Sequence, residues 1–172
     1  MIDNPIGIDY PIQIVQKSFI DELWLDVDDS KKQFNARVFR NYDKDGNIYP
    51  EIYLDNGDYK KVRFNDNLDV LSWFDVPDTP TSFDSGYETS IVGIFFAVNI
   101  EKLYPGLSHR AVEEVHRDVL NVLDITNVQD GIIKGGPAFG DFNTNLDSLK
   151  GFNVQPWHVF RINYLMSYTT NC

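Results

Sequence analysis

The chain has 172 residues, of which 42% are hydrophobic and 14% aromatic, and its formal net charge is −11. Length and composition indicate one globular domain, residues 1–172, with a core large enough to be stable without disulfides or structural metals. The charge argues against nucleic-acid grooves and anionic membranes as partners, because both are bound through basic surfaces. Cys172 is the only cysteine, which excludes a disulfide within the chain and argues against a cysteine-based zinc site.

The N-terminal residues 1–10 are expected to form an extended arm, because Pro5 and Gly7 interrupt a helix. They lack the basic and apolar regions of a signal peptide, which predicts synthesis in the cytoplasm. From Pro11 to about Leu25, apolar residues recur at helical spacing, and proline suits the first turn of a helix. The sequence therefore predicts a first helix, with an apolar face formed by Ile12, Val15, Phe19 and Leu23.

Alternating apolar residues and turn signals predict a set of strands in the first half of the chain. Asn56-Gly57 lies between two such runs and is a strong signal for a β-hairpin. The predicted strands are Ala36–Arg40, Ile48–Leu54, Tyr59–Phe64 and Leu68–Val76. Residues 77–88 contain two prolines and several Ser, Thr and Asp residues, and they are predicted to form a loop.

The uncharged run Ile91–Val98 is expected to be the central strand, buried on both faces of a sheet. It is too short to cross a membrane, which takes about 20 apolar residues. Ser108–Leu123 is predicted to be a second helix, because valines recur along one face and Ser108 can cap the first turn. A central strand packed against a helix indicates an α+β domain.

Residues 124–156 are rich in glycine, asparagine and aspartate, and a loop of this length is expected to be functional. Within it, Ile132 and Ile133 are expected to start a small hairpin. Trp157–Tyr168 alternates between apolar and polar residues, which predicts a half-buried strand beside the central one. The predicted fold class is α+β, with a mostly antiparallel sheet, two helices packed on it and long loop insertions.

Asn41, Asp43 and Asp45 stand at the spacing of the first oxygen ligands of an EF-hand loop, followed by Gly46. The second half of that motif is missing, because Ile52 occupies the position of its bidentate glutamate. Two alternatives follow. One is a weak metal site, with a calcium- or ligand-binding module as the function, and the other is a polar β-turn.

Three histidines carry the other candidate chemistry. His109, Glu113 and His116 fall close together on the predicted second helix, as metal ligands would. A small hydrolase that uses His116 with neighbouring acids is a further alternative. The three helix residues also border the apolar stripe, where a histidine often bonds a neighbour, and His158 is expected to be a core or interface residue. The sequence contains no nucleophile elbow, phosphate loop or dinucleotide fingerprint, so we expect neither an enzyme nor a cofactor.

Aromatic residues in or beside the predicted loops are expected to contact partners more than the core of the monomer, because interfaces are enriched in them. This group comprises Trp73, Phe74, Phe83, Tyr87, Phe139, Phe142, Phe152 and Trp157. The interface candidates among them are Phe139, Phe142 and Phe152, which lie within residues 124–156.

Several phrases of the sequence carry a resemblance. Ile6–Ile12 leads into the first helix, Ile48–Tyr53 forms a predicted strand, and Val98–Pro105 is followed by His109-Arg110 and Glu113-Glu114-Val115. These phrases and the order of elements resemble bacteriophage tail-terminator and head–tail neck ring proteins, most of all those of crAss-like phages. The resemblance covers nearly the whole chain and implies an N-terminal helix, an antiparallel sheet with a hairpin, a second helix on the sheet and a last strand.

The resemblance implies a structural virion protein whose copies form a hexameric or dodecameric ring in the neck. Other neck, portal or tail proteins would be its partners, and DNA would pass through the channel without specific binding. An acidic channel wall would repel phosphate and let the DNA slide. The candidate lumen residues are the loop acids Asp55, Asp58, Asp78, Asp84 and Glu88.

Ring contacts join different faces of neighbouring subunits. Residues 124–156 and the arm, residues 1–10, are expected to reach across to the neighbour. Deletion of residues 135–153 is accordingly expected to abolish assembly and leave the fold intact.

Overall fold

The computed structural model describes residues 4–54, 58–62, 67–84, 86–107, 111–140, 142 and 156–169. Its helices are α1 (Asp9–Glu22), α2 (Ile100–Leu103) and α3 (Val112–Val122). Its strands are β1 (Lys32–Tyr42), β2 (Ile48–Leu54), β3 (Asp58–Lys61), β4 (Val70–Asp75), β5 (Ser82–Asp84), β6 (Tyr87–Asn99), β7 (Val128–Lys134) and β8 (Trp157–Thr169). Short 3-10 helices cover Asp29–Lys31, Ile125–Asn127 and Gly136–Phe139.

The strands form one sheet in the order β3-β2-β1-β4-β6-β8-β7, and β5 pairs with β6 off this path. The pairs are antiparallel except for β1 with β4, where Lys32 lies opposite Val70. That pair is parallel because the chain leaves β1, builds the outer strands β2 and β3, and returns on the other side of β1. The predicted α+β class with a mostly antiparallel sheet is therefore confirmed.

Strand β6 is the centre of the sheet, as the sequence predicts. Every residue from Val92 to Val98 is buried. On one side β6 pairs with β4, and on the other it pairs with β8 along its whole length, from Tyr87 opposite Thr169 to Asn99 opposite Trp157. The last strand thus lies beside the central one, and its inward residues Phe160, Ile162, Tyr164 and Met166 are buried.

One face of the sheet carries the helices and the larger core. Helix α1 buries Ile12 and Phe19, and helix α3 buries Val115 and Val119. The Phe19 ring stacks on Phe74, with ring centroids 6.0 Å apart, and meets the Phe96 ring of β6 edge-on at 5.2 Å. Each large apolar side chain that is fully buried here contributes roughly 1.5–3 kcal/mol, so this layer holds both helices on the sheet.

The opposite face has a second core, built around a Trp73 ring that stacks on Phe95 at 3.7 Å. Residues 136–140 and 142 cover it, with Ala138, Phe139 and Phe142 buried. Several aromatic residues expected at an interface therefore belong to the monomer core, because this segment folds back onto the sheet. Deleting residues 135–153 would remove part of that core, contrary to the expectation that the fold would survive.

Both ends of the first helix differ from their prediction. The expected arm is already helical at Asp9 and Tyr10, and Ile8 is buried in the core. The helix ends at Glu22 rather than near Leu25, and Trp24 adopts a left-handed conformation with φ of 48°. Trp24 takes this conformation where its indole meets other elements, as described below.

Other predicted boundaries shift as well. The loop predicted at residues 77–88 contains β5, which pairs with the start of β6. The long loop at residues 124–156 contains β7, so Ile132 and Ile133 lie in a strand that pairs with β8. The second helix begins at Val112, and the predicted cap Ser108 lies outside the described residues. Tertiary pairing with β6 and β8 recruits segments whose own composition is typical of loops.

A polar contact joins the residues that follow α1 and α2 to the middle of α3. The Trp24 indole N–H lies 3.3 Å from the Tyr104 hydroxyl and 3.1 Å from an Asp118 carboxylate oxygen. The Tyr104 hydroxyl also donates to Asp118. Burial raises the pKa of Asp118, and the hydrogen bond from Trp24 opposes that effect. The strained backbone at Trp24 is thus compensated by contacts that the sequence pattern alone does not reveal.

Candidate interaction surface

The outer part of the helix-bearing face is open. In the described part of the chain the helices pack over β4, β6 and β8, and α1 also packs on the first half of β1, where Phe19 and Gln16 contact Phe34. Farther out, on β1, β2 and β3, the side chains of Phe39, Tyr53 and Tyr59 form a cluster that we call the aromatic wing. They are 39%, 39% and 55% exposed, whereas an aromatic side chain in a core is almost fully buried.

The rings of the aromatic wing hold one another in place. The register sets Tyr53 directly opposite Tyr59, and their ring centroids are 5.3 Å apart, edge to face. The Phe39 ring meets Tyr59 in the same way at 5.9 Å, and the Arg37 guanidinium lies 5.1 Å from the Phe39 centroid. Such contacts fix the rings before any partner arrives, which suits a surface that binds protein.

The predicted lumen acids lie in two places. Asp78 and Asp84 are exposed, and Glu88 accepts a hydrogen bond from the Tyr168 hydroxyl at 2.8 Å. By strand register these three lie at the same end of the sheet as the β1–β2 turn. Asp58 instead starts the edge strand β3, so the predicted acids do not all share one end.

The remaining interface candidates are divided between the core and the part of the chain that is not described. Phe139 and Phe142 are 5% and 4% exposed, so neither ring is available to a neighbouring subunit. Asp55 and Phe152 lie outside the described residues. The sequence suggested aromatic contacts in the long loop, but the exposed aromatic rings of the wing are on strands, where alternation had been interpreted only as sheet pairing.

The weak metal candidates Asn41, Asp43 and Asp45 lie in and beside a β-hairpin turn. One Asp43 carboxylate oxygen accepts from the backbone N–H groups of Asp45 and Asn47, at 2.9 and 2.8 Å. The other accepts from the Asn47 side-chain amide at 2.9 Å, and these bonds lower the pKa of Asp43. The Asn41 amide donates to Glu51 at 2.8 Å. A cation at this turn would have to displace those partners.

Two histidines from different elements meet beside the helix-bearing core, where α3 packs on the start of β8. His116 of α3 and His158 of β8 bring their Nε2 atoms to 2.8 Å, so one ring donates and the other accepts. Burial, together with the Lys134 charge, lowers the pKa of both to about 4, and the neighbouring His158 contributes to the shift of His116. Among the described residues no three His, Cys, Asp or Glu side chains converge as metal ligands would, and a cation here would meet the Lys134 charge.

A charged cluster occupies the second core. The Asp75 carboxylate, almost fully buried, binds Arg40 at 3.1 Å and faces Arg161 at 3.6 Å. The Arg161 guanidinium occupies the space where a side chain on Gly93 or Gly140 would lie. In the sequence, the sign of this cluster was Gly93 within an apolar strand, because a glycine there often marks a place where another group packs closely against the backbone. The cluster joins β1, β4 and β8, which explains its position without a ligand.

Comparison of this chain with protein families, with curated proteins and with solved structures finds no match. Within the described residues, no helix has the length and apolar character needed to span a membrane. The interpretation of the aromatic wing therefore depends on its own geometry and on the composition of the chain.

Proposed function

We propose that this protein is a structural subunit of a bacteriophage head–tail connector, which assembles with its own copies into a ring around the DNA channel. The observation that supports it best is the aromatic wing, a fixed and exposed group of rings on a sheet face. The choice of a head–tail connector as the assembly comes from the sequence segments that resemble neck proteins. This is a structural role, without catalysis and without a bound cofactor.

The energetics favour a protein partner for the wing. Aromatic residues dominate the few positions that carry most of the binding energy at interfaces. Covering an exposed aromatic side chain removes a large apolar area from water, worth roughly 25 cal/mol for each Å². Because Phe39, Tyr53 and Tyr59 already contact one another, little side-chain entropy is lost when a partner covers them.

The charge distribution supports a channel role for one end of the sheet. The turn acids Asp43 and Asp45 share that end with Asp78 and Asp84, and all four carboxylates are on the surface or partly exposed. Directed toward a channel, they would repel DNA phosphates and oppose specific binding. The net charge of −11 agrees with passage of DNA rather than its capture.

Native mass spectrometry over a concentration series, followed by negative-stain electron microscopy, tests the assembly. We expect a closed hexamer or dodecamer with a central opening, formed equally with and without calcium. A chain that stays monomeric up to millimolar concentration would contradict the ring. A complex that forms only with calcium would instead favour a calcium-binding module.

The channel assignment has its own test. Asp78→Lys with Asp84→Lys should turn the channel end basic, so that assembled rings retain double-stranded DNA in a gel-shift assay. The matched control reverses two exposed acids at the other end of the sheet, Asp26→Lys with Asp29→Lys. Retention of DNA by both variants to the same extent would show that this end of the sheet does not face the channel.

A further inference from the structure

A second exposed apolar surface lies near the opposite edge of the sheet. It is a groove of about 310 Å³ between the first half of α1 and the end of β8. We call it the α1–β8 groove, and its lining includes Pro11, Ile14, Val15, Asn127, Tyr164 and Met166. Ile14 is 53% exposed, and Ile125, beside Asn127 in the chain, is 66% exposed. The monomer thus leaves this apolar surface uncovered.

The edge strand beside the groove is irregular. In β7 the pairing with β8 shifts between Gln129 and Ile132. At the shift, Asp130 and Gly131 both have positive φ, 56° and 72°. A bulge of this kind prevents another strand from pairing regularly with the edge. A partner at this side would therefore contact the side chains of the groove rather than extend the sheet.

The aromatic wing and the α1–β8 groove carry opposite charges at their borders. Arg37 and Lys61 lie on the same face as the wing, where Glu51 pairs with Lys61, whereas Lys60 pairs with Ile52 on the other face. Two exposed acids lie near the groove residue Asn127: Asp124 caps the 3-10 helix that ends there, and Asp130 lies at the bulge of β7. Opposite charges at matching borders guide association and fix its register. In a chain with a strong acidic excess, this basic border makes a second copy a fitting partner.

The twist of the sheet orients the two surfaces differently. From β2, at the middle of the wing, to β8, at the groove, there are four steps in the strand order. At the usual twist for each step, the sheet turns by roughly 80–100° over this distance. One copy therefore presents two different surfaces in two directions, which is the condition for a heterologous contact that repeats around a ring.

We infer that the aromatic wing of one copy binds the α1–β8 groove of the next copy, with Tyr59 as the central ring and the basic border of the wing against Asp124 and Asp130. This inference rests on the proposed ring function and names the contact that builds it. Tyr59 is the most exposed ring of the wing, and the groove is large enough to receive one aromatic side chain.

A complementation experiment tests the contact. Tyr59→Ser removes the wing's central ring, and Ile14→Ser weakens the groove. Each variant alone should lose at least about tenfold in association constant. Their mixture should form a heterodimer through the one intact pair of surfaces and stop there. Matched controls are Tyr42→Ser and Ile20→Ser, since both residues are exposed but lie outside the two surfaces, and they should assemble as the unchanged chain does.

Disulfide trapping gives a second measurement that tolerates weak assembly. With Cys172→Ser as background, a Tyr59→Cys chain mixed with an Ile14→Cys chain should form a mixed disulfide under mild oxidation. Tyr42→Cys mixed with Ile14→Cys should react at least about tenfold more slowly, because the contact does not bring those thiols together. Equal rates for the two mixtures would overturn the inference.

The outcomes separate this inference from the proposed function. Closed rings that persist in both Tyr59→Ser and Ile14→Ser would overturn the head-to-tail contact and leave the ring function standing. Rings lost in both variants, without a heterodimer in the mixture, would also overturn it, because the surfaces would not meet each other. An unchanged chain without assembly and without trapping would overturn both proposals.

Discussion

Acidification should weaken this fold through the His116–His158 pair. In the folded chain the pKa of each histidine is about 4, whereas an unfolded histidine titrates near about 6.5. Between these values the unfolded chain binds more protons, so stability is fully present above about pH 6.5 and is lost as the pH falls toward 4. The groups that face the pair are Phe160 and Lys134, and neither offers a negative charge to the imidazolium.

The magnitude follows from proton linkage. At pH 5 each histidine is expected to cost roughly 2 kcal/mol relative to pH 8. Because the two rings share one interaction and His158 is partly exposed, we expect about 3 kcal/mol for the pair rather than the full sum. That is a large part of the stability of an ordinary domain, about 5–15 kcal/mol.

Urea unfolding followed by tryptophan fluorescence at pH 8 and pH 5 measures this loss. The comparison is with His116→Gln/His158→Gln, whose two amides can still hydrogen-bond but do not titrate. Asp9 and Asp118 have raised pKa values from burial and stabilise the fold as the pH falls, but they act equally in both chains. The double variant should lose about 3 kcal/mol less on acidification. An identical pH dependence in both chains would refute the linkage argument.

Three further predictions use the same unfolding assay. Gly93→Ala should cost about 1–3 kcal/mol, because the new Cβ would collide with the Arg161 guanidinium and force it to move. Adding Arg161→Ala should relieve part of that cost, and additive losses would contradict the clash. Asp75→Asn should cost about 2–3 kcal/mol, because the guanidinium groups of Arg40 and Arg161 would lose their carboxylate partner. A neutral effect would mean that the cluster is not structural. Calcium should leave the melting temperature unchanged, while Asp43→Ala should lower it by removing the hydrogen bonds of the turn; a calcium-dependent rise would contradict the polar-turn interpretation.

From the sequence, only the aromatic character of the candidate surface could be predicted, and not its residues or its position. Aromatic residues in or beside the loops were expected at an interface, but the weight placed on Phe139 and Phe142 was wrong, because residues 136–140 and 142 fold onto the second face of the sheet. Tyr53 and Tyr59 looked like ordinary strand residues. Their exposure depends on how far the helices extend over the sheet, and short-range patterns contain no information on that.

Local sequence was sufficient where a residue's role depends on its near neighbours. The apolar run around Ile94 had to be buried on both faces, since exposed alternatives would leave a long apolar strand in water. The β2–β3 pairing followed from the turn signal between the two strands. The valines of α3 placed that helix on the sheet through their spacing. These elements account for the α+β class.

Tertiary structure decided the features that depend on distant residues. The parallel pairing of β1 with β4, the strand β7 within a glycine-rich stretch and the meeting of His116 with His158 each join segments far apart in the chain. Their free energy comes from burial and hydrogen bonds that exist only once the sheet is assembled. The composition and spacing of residues thus determined the class of fold and its central strand, whereas the packing of the layers determined which side chains remain exposed to a partner.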